Sequence, residues 1–291
     1  MISIIVCSIN KELLRQLKTN IADTIGTPFE LIAIDNNIEK KSICAVYNEG
    51  AEKAKHACLC FLHEDVIIHS KDWGVPLTAL LSDEQIGLVG VSGAVYKSRY
   101  PGTWSACDPG LYRTHSIQHF ENRAEAKEIN INPEGKNWSE VAVIDGVFMA
   151  TTKKVFENFR FDDELLKGFH GYDIDYSLQV GSKYKVVVTY RIFLAHFSSG
   201  NLNKEWLKYS LLVHEKWKKK LPKSVVDIDT NSKQISDYLS NQCVINVAML
   251  DRQKWWLVMS VFCRMVLKYY QFNKLKYSRQ VALFLINKRY S

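Results

Sequence analysis

The strongest constraint on this chain is an alternation in its first seventy residues. The run "ISIIVCS" (2–8) is β-branched and almost continuously apolar, the pattern of a strand buried on both faces. "KELLRQLKTNIADTI" follows with apolar spacing near 3.6, hence a helix. "FELIAIDNN" (29–37) is a second strand. "SICAVYNEGAEKAKHA" carries a helix expected to start near Tyr47–Asn48, with Ala51, Ala54 and Ala57 spaced for packing. "CLCFLHEDVII" (58–68) is a third strand. Strand, helix, strand, helix, strand predicts an α/β fold built on a parallel sheet.

In such sheets ligands bind beyond the carboxyl ends of the strands. Ser8, Asp35 and His63-Glu64-Asp65 all fall at those ends. The last triplet interrupts an apolar run, and burying charge without a partner is costly. The break therefore marks a strand end open to solvent, a metal or a ligand. Farther on, "DWGVPLTALLSDEQ" reads as a helix and "IGLVGVSGAVY" (86–96) as a strand. Residues 97–138 read as one long irregular loop, and loops of that length are usually functional. "EVAVIDGVFMATTKKVFENF" predicts strand, a break at Asp145-Gly146, more strand and a short helix. A further helix at "GYDIDYSLQ", the strand "YKVVVT", a strand ending at His196 and a helix over 204–220 complete the body.

At 291 residues the chain is long enough for one large domain with an appendage. Its net charge of +7 is uneven: residues 252–291 hold nine Lys or Arg and no acid, which leaves about −2 on the rest. Nucleic acid is thus not the expected partner of the main body. Seven cysteines lie scattered without a framework, and Cys58 and Cys60 share one face of a strand. A reducing, cytoplasmic compartment is the simpler reading. The N-terminus lacks the basic region and the apolar length of a signal peptide, and no run reaches the roughly 18 apolar residues of a spanning helix.

His63, Glu64, Asp65, Asp145, Asp173, Asp175 and His196 form the chemically interesting set. Carboxylates and imidazoles suit Mg²⁺ or Mn²⁺ when phosphate oxygens complete the shell. Bland readings stand beside this one. Asp35 and Asp145 fit turn chemistry, Asp173 and Asp175 suit a helix N-terminus, and His196 could be a satisfied core histidine. Trp104 and Trp138 could stack on a sugar or simply pack. The chain has no GxGxxG after its first strand, no lysine phosphate loop and no GxSxG turn, which argues against dinucleotide, P-loop and serine-hydrolase chemistry. A nucleotidyltransferase is disfavoured by the missing Lys/Arg-rich triphosphate loop.

The ordered set "ISIIVCS", "IDNN", "YNEGAEKA", "FLHEDVII", "GLVGVSGA", "VIDGVFMATTK", "FHGYDIDYSLQ", "AHFSSG" and "KW…LP" resembles nucleotide-sugar glycosyltransferases of the GT-A fold, near family 2. More closely it is similar to the branch named after a streptomycin-biosynthesis protein domain. The resemblance spans roughly residues 2–222 and leaves 223–291 as a helical basic region. It implies a Rossmann-like, mostly parallel sheet flanked by helices. It also implies transfer of a sugar from a nucleotide-linked donor, UDP-linked by the resemblance, to a saccharide or lipid-linked acceptor, metal-assisted and inverting. Ser8, Asp35, Asn48, His63, Glu64 and Asp145 then fall to the nucleotide-sugar. Asp65 and His196 fall to Mn²⁺ or Mg²⁺, Asp173 to the catalytic base, and Tyr172, Asp175 and Trp104 to the acceptor. Two positions depart from the family pattern: His63 stands for the first carboxylate of the Asp-x-Asp motif, and Tyr172 for a glutamate. A GT-A-like binding protein without turnover is the competing reading.

The tail combines basic and apolar residues. "KWWLVMSVFCRMVLKYY" spaces Ser260, Arg264, Lys268 and Gln271 as a narrow polar stripe beside a wide apolar face with Trp255, Trp256 and Phe262. "NKLKYSRQVALFLINKRY" repeats the combination. Such helices suit an anionic membrane surface at the inner face of a membrane, or packing on the body or on a second subunit.

Overall fold

Ile2, Ile4, Ile5 and Val6 are fully shielded from solvent, as their unbroken apolar run requires. The computed structural model describes residues 1–119, 126–198, 202–250 and 254–268, with 278 and 281. Its first eight strands are β1 (Ile2–Ser8), β2 (Phe29–Asp35), β3 (Cys58–Leu62), β4 (Val66–Ile68), β5 (Ile86–Gly90), β6 (Ser92–Ala94), β7 (Tyr96–Lys97) and β8 (Tyr112–Gln118). Then come β9 (Lys127–Ile131), β10 (Trp138–Val141), β11 (Val143–Ile144), β12 (Phe148–Thr152), β13 (Lys185–Thr189), β14 (Leu194–His196) and β15 (Lys223–Ser224). The helices are α1 (Lys11–Thr24), α2 (Ile43–Lys53), α3 (Gly74–Leu81), α4 (Lys153–Phe156), α5 (Tyr172–Val180), α6 (Lys204–Trp217), α7 (Thr230–Ala248) and α8 (Trp255–Lys268).

A seven-stranded sheet in the order β10-β13-β5-β12-β3-β1-β2 forms the centre. β1 pairs in parallel with β2 and β3, and β13 pairs in parallel with β5. β12 runs antiparallel between β3 and β5, and β10 antiparallel to β13, so the sheet is mostly parallel as expected. One apolar layer fills the side under α2 and α5, around Tyr47, Phe61, Phe161 and Tyr176. The other fills the side under α1 and α3, around Leu17, Ile21, Trp73 and Phe148.

A second sheet, β11-β6-β8-β14-β4 with β9 on the outside of β8, crosses the carboxyl ends of the central strands. It corrects the expectation of an irregular loop over 97–138, because β8 and β9 pair antiparallel within that span. The strand was hidden because its residues satisfy one another through polar groups: Ser92 and Thr114 share a hydroxyl bond of 2.6 Å, and Thr114 and Ser116 one of 3.1 Å. The single strand expected over 86–96 is broken into β5, β6 and β7. α2 begins at Ile43 rather than near Tyr47, because Ser42 Oγ caps it by accepting from the Ala45 N–H at 3.2 Å.

The described helices α7 and α8 pack on the body. Ser98 Oγ donates to Asp237 Oδ1 at 2.6 Å, Ser240 Oγ donates to the Ala106 carbonyl at 2.8 Å, and Ser236 Oγ accepts from the Asp108 N–H at 3.0 Å. Leu257, Val258, Val261 and Met265 of α8 close an apolar cluster with Trp206, Leu207, Val244 and Ile245. Arg264, read as part of a solvent-facing stripe, instead turns inward: it donates to Asn241 Oδ1 at 2.9 Å and lies 4.6 Å from the Tyr100 ring centroid. Gln271 and the second basic-apolar segment lie outside the described residues, apart from Ser278 and Val281. No helix among the described residues is long and apolar enough to cross a membrane.

α2 reaches β1 closely because Gly50 has no side chain; a Cβ there would run into Ile5 Cγ2. Gly50→Ala gains helix propensity but overpacks the core, so chemical denaturation is expected to show a net loss of about 1–3 kcal/mol.

Candidate active site

His63 follows β3 directly, and its N–H bonds the Val147 carbonyl at 3.1 Å. Asp65 precedes β4, and His196 ends β14 opposite Val66. Because β4 and β14 pair, these three side chains converge: one ligand atom from each lies within 4.8 Å of the others. Asp65 Oδ1 is 3.8 Å from His63 Nδ1 and 3.6 Å from His196 Nε2.

The far nitrogen of each imidazole is fixed by a neutral partner. His63 Nε2 lies 2.6 Å from the Tyr172 hydroxyl, which donates to the Gly146 carbonyl at 3.2 Å, so Nε2 carries the hydrogen. His196 Nδ1 lies 3.2 Å from Gln118 Oε1, and the Gln118 amide nitrogen is committed to the carbonyls of His119, His196 and Ser198. Both lone pairs therefore face Asp65. His196 Nε2 is buried and has no hydrogen-bond partner. With both imidazoles neutral these are three acceptors facing one another, an arrangement relieved by a cation, either a proton on His196 Nε2 or a metal ion.

The electrostatics agree. Burial first, then the neighbouring His196, pushes His63 down to about 4, so it stays neutral near pH 7. Burial would raise the Asp65 carboxyl, but the two histidines hold it below its usual range. Burial also opposes charge on His196, yet Asp65 and Asp145 outweigh it and lift its pKa. The spot draws positive charge. Two imidazoles and a carboxylate, oriented from behind by Tyr172 and Gln118, fit a divalent metal.

The Glu64 carboxylate turns the other way. It accepts from Ser8 Oγ at 2.7 Å and from the N–H groups of Ile9 and Asn10 at 3.1 Å, which ties the loop after β1 to the triplet. Asp35 is exposed at the end of β2, where its Oδ1 accepts from the backbone and side chain of Asn37 at 3.0 and 2.9 Å. Those bonds hold its carboxyl below the usual range. Beside these strand ends opens a cleft of about 390 Å³, lined by Cys7, Asn36, Lys40, Lys41, Lys167 and Phe169, among others. Phe169 connects this cleft to the triplet, with its ring centroid 5.5 Å from that of His63. The lysines carried no sequence signal beyond their residue type, and Phe169 entered only as the first residue of "FHGYDIDYSLQ".

Asp145 and Asp173 stand near the triplet, and Asp145 acts electrostatically on His63, His196 and Asp173. Asp145 accepts from Trp104 Nε1 at 2.7 Å and from the Val147 N–H at 3.1 Å. Asp173 is the second residue of α5, one after Tyr172. Burial, and then the charge of Asp145, lift Asp173 to about 7 against the pull of nearby backbone amides. Gly146 lets Tyr172 approach, since a Cβ there would meet the Tyr172 hydroxyl.

Two expected site residues are turned away. Asn48 is buried with its amide spent on Phe161, donating to the carbonyl at 2.9 Å and accepting from the N–H at 3.2 Å. Asp175 is buried under α6, where it accepts from Trp217 Nε1 at 2.7 Å, Lys216 Nζ at 2.9 Å and Gln179 Nε2 at 2.6 Å. Their polar groups are already satisfied within the fold.

Residues 3–223 match the model of a glycosyltransferase-like family. The chain belongs to this family. Its fold is GT-A: it is similar to S. aureus TarS 1–349, with a TM-score of 0.52 and 12% identity over 96% of this chain and 89% of that one. It is also similar to GalNAc-T7 in complex with UDP, GalNAc and Mn²⁺, with a TM-score of 0.51 and 14% identity over 82% of this chain. A longer S. aureus TarS chain aligns at 0.50 and 10% identity over 87% of this chain. The glycosyltransferase-like chain spans about half of the GalNAc-T7 and longer TarS chains, at 54% and 47%. No curated protein matches it in sequence.

Two substitutions separate site from scaffold. Gln118→Ala frees the His196 ring and is expected to weaken Mn²⁺ binding about 10- to 100-fold by calorimetry, with little loss of stability. Asp175→Ala leaves the buried Trp217 Nε1–H without its acceptor while Asp162 still pairs Lys216; it is expected to cost about 1–3 kcal/mol in urea denaturation, with Mn²⁺ affinity of the folded protein unchanged.

Proposed function

We propose that this chain transfers a sugar from a UDP-linked donor to a hydroxyl of a saccharide acceptor, with inversion at the anomeric carbon. The observation that carries the reading is Asp173, a carboxyl with a pKa raised to about 7, in the same electrostatic neighbourhood as three converged metal-ligand atoms: Asp145 acts on Asp173, His63 and His196 alike. The cleft beside β1 and β2 takes the nucleoside, with Ser8, Asp35 and Asn36 at its strand ends and Lys40, Lys41 and Lys167 facing the diphosphate.

His63, Asp65 and His196 would hold a divalent ion, and two imidazoles with one carboxylate favour Mn²⁺ over the harder Mg²⁺. When bound, that ion neutralises the charge gathering on the diphosphate as the sugar leaves. The remaining work falls to protein side chains. Asp173 takes the proton from the acceptor hydroxyl while that oxygen bonds the anomeric carbon and the bond to the diphosphate oxygen breaks. Trp104, held on Asp145, walls the sugar side. Tyr172 acts through His63, and Glu64 acts by bracing the loop that carries Ser8.

Asp173→Asn is the decisive substitution. It is expected to abolish transfer, and hydrolysis of any donor found by screening UDP-sugars, while UDP affinity stays within a few fold. A mutant as active as wild type would remove Asp173 from the mechanism. In the wild type a base with a pKa of about 7 makes turnover fall as the pH drops below that value. The same carboxyl binds its proton more tightly folded than unfolded, so ionising it costs stability between 3.8 and about 7. Asp173→Asn is therefore expected to melt at a higher temperature than wild type at pH 8, which distinguishes lost chemistry from lost folding.

A further inference from the structure

α6 presents two different surfaces from its first turn. Glu205 lines the nucleotide cleft, while Lys204, Lys208, Leu207, Leu211 and Leu212 form one wall of a separate groove closed by Lys254 at the start of α8. The groove holds about 290 Å³, and no acidic side chain among the described residues lines it. Beside it Trp255 and Trp256 are 45% and 55% exposed, although their neighbours Leu257 and Val258 are buried. The outward face of α8 continues through Ser260 and Cys263 to the exposed Leu267. Leu250, just past the end of α7, is exposed as well.

We propose that this groove and the adjoining tryptophans dock the protein on an anionic lipid bilayer. Lysines around an apolar floor match phospholipid phosphates above acyl chains. Tryptophan suits the depth where the two meet, because its ring is apolar and its N–H polar. The charge of the segment fits the same partner: residues 252–291 carry nine basic residues and no acid. A second copy of the chain fits poorly. A twofold contact would set Lys204, Lys208 and Lys254 of one copy against the same patch of the other, with no carboxylate between. An acidic protein would match the lysines but leaves the pair of exposed tryptophans without a reason for their interfacial placement. Since α6 separates groove from cleft by one helix face, docking would hold the cleft mouth close to the bilayer, within reach of an acceptor carried on a lipid.

The test does not depend on turnover. Full-length protein is floated with phosphatidylcholine vesicles, with and without phosphatidylglycerol, at low and high salt. Wild type is expected to float with the anionic vesicles only, and less at high salt. The triple variant K204E/K208E/K254E is expected to lose about 100-fold in partitioning, given the contribution of each basic residue near a charged surface. W255S/W256S, at two exposed positions, is expected to weaken binding even at low salt. A charge-matched control, K18E/K55E/K183E, alters exposed lysines elsewhere and is expected to keep most of the binding; Mn²⁺ titration reports that each variant is folded. The proposal is overturned if wild type does not float, or if the control loses as much as the groove triple, which would reduce the effect to net charge. It is equally overturned if the groove variants instead abolish a concentration-dependent dimer seen without vesicles.

Discussion

The arrangement around Asp65 depends on what lies behind the two histidines. An imidazole can offer a lone pair forward only if its other nitrogen is held as a donor. Tyr172 does this for His63 by passing its own hydrogen to the Gly146 carbonyl, and Gln118 does it for His196 with an amide anchored on three carbonyls. These two supports come from α5 and β8, elements that neither contain nor adjoin the ligands in sequence. The result is a buried nitrogen with no partner, His196 Nε2, facing a carboxylate 3.6 Å away. A cation between them, a proton on His196 or a metal ion, would satisfy both.

The two sheets make that geometry possible. The central sheet ends its strands on one side, and the second sheet crosses there, so β4 and β14 carry Asp65 and His196 back over the ends of β1 and β3. Glu64 fastens this crossing to the loop after β1 through Ser8, Ile9 and Asn10. Asp145 stands close enough for its charge to oppose ionisation of Asp173 while it also acts on His63 and His196.

Much of this was legible in local patterns. The apolar runs of β1, β2 and β3 mark their own ends, which is why Ser8, Asp35 and His63-Glu64-Asp65 could be placed at one edge of a sheet. The long-range partners could not be read in the same way. Asn48 looks available on its helix until Phe161, 113 residues later, occupies both atoms of its amide. Asp175 looks like a second carboxylate at a helix start until Trp217, 42 residues later, caps it. Gln118 sits in a strand whose polar residues carry no apolar period, so neither the strand nor its role behind His196 had a signal. His63 was expected to touch the donor, and only the pairing of β4 with β14 shows that it joins Asp65 and His196. Motifs reveal where polar residues stand; the fold decides which of them are already spent.

The central claim is that His63, Asp65 and His196 together hold one divalent ion. Pulsed electron paramagnetic resonance of the protein loaded with Mn²⁺ reads the ligands directly. The account predicts magnetic coupling to the nitrogens of two imidazoles, reduced to one in either His63→Ala or His196→Ala. A spectrum of bound Mn²⁺ with no nitrogen coupling, or one unchanged by both substitutions, would contradict it.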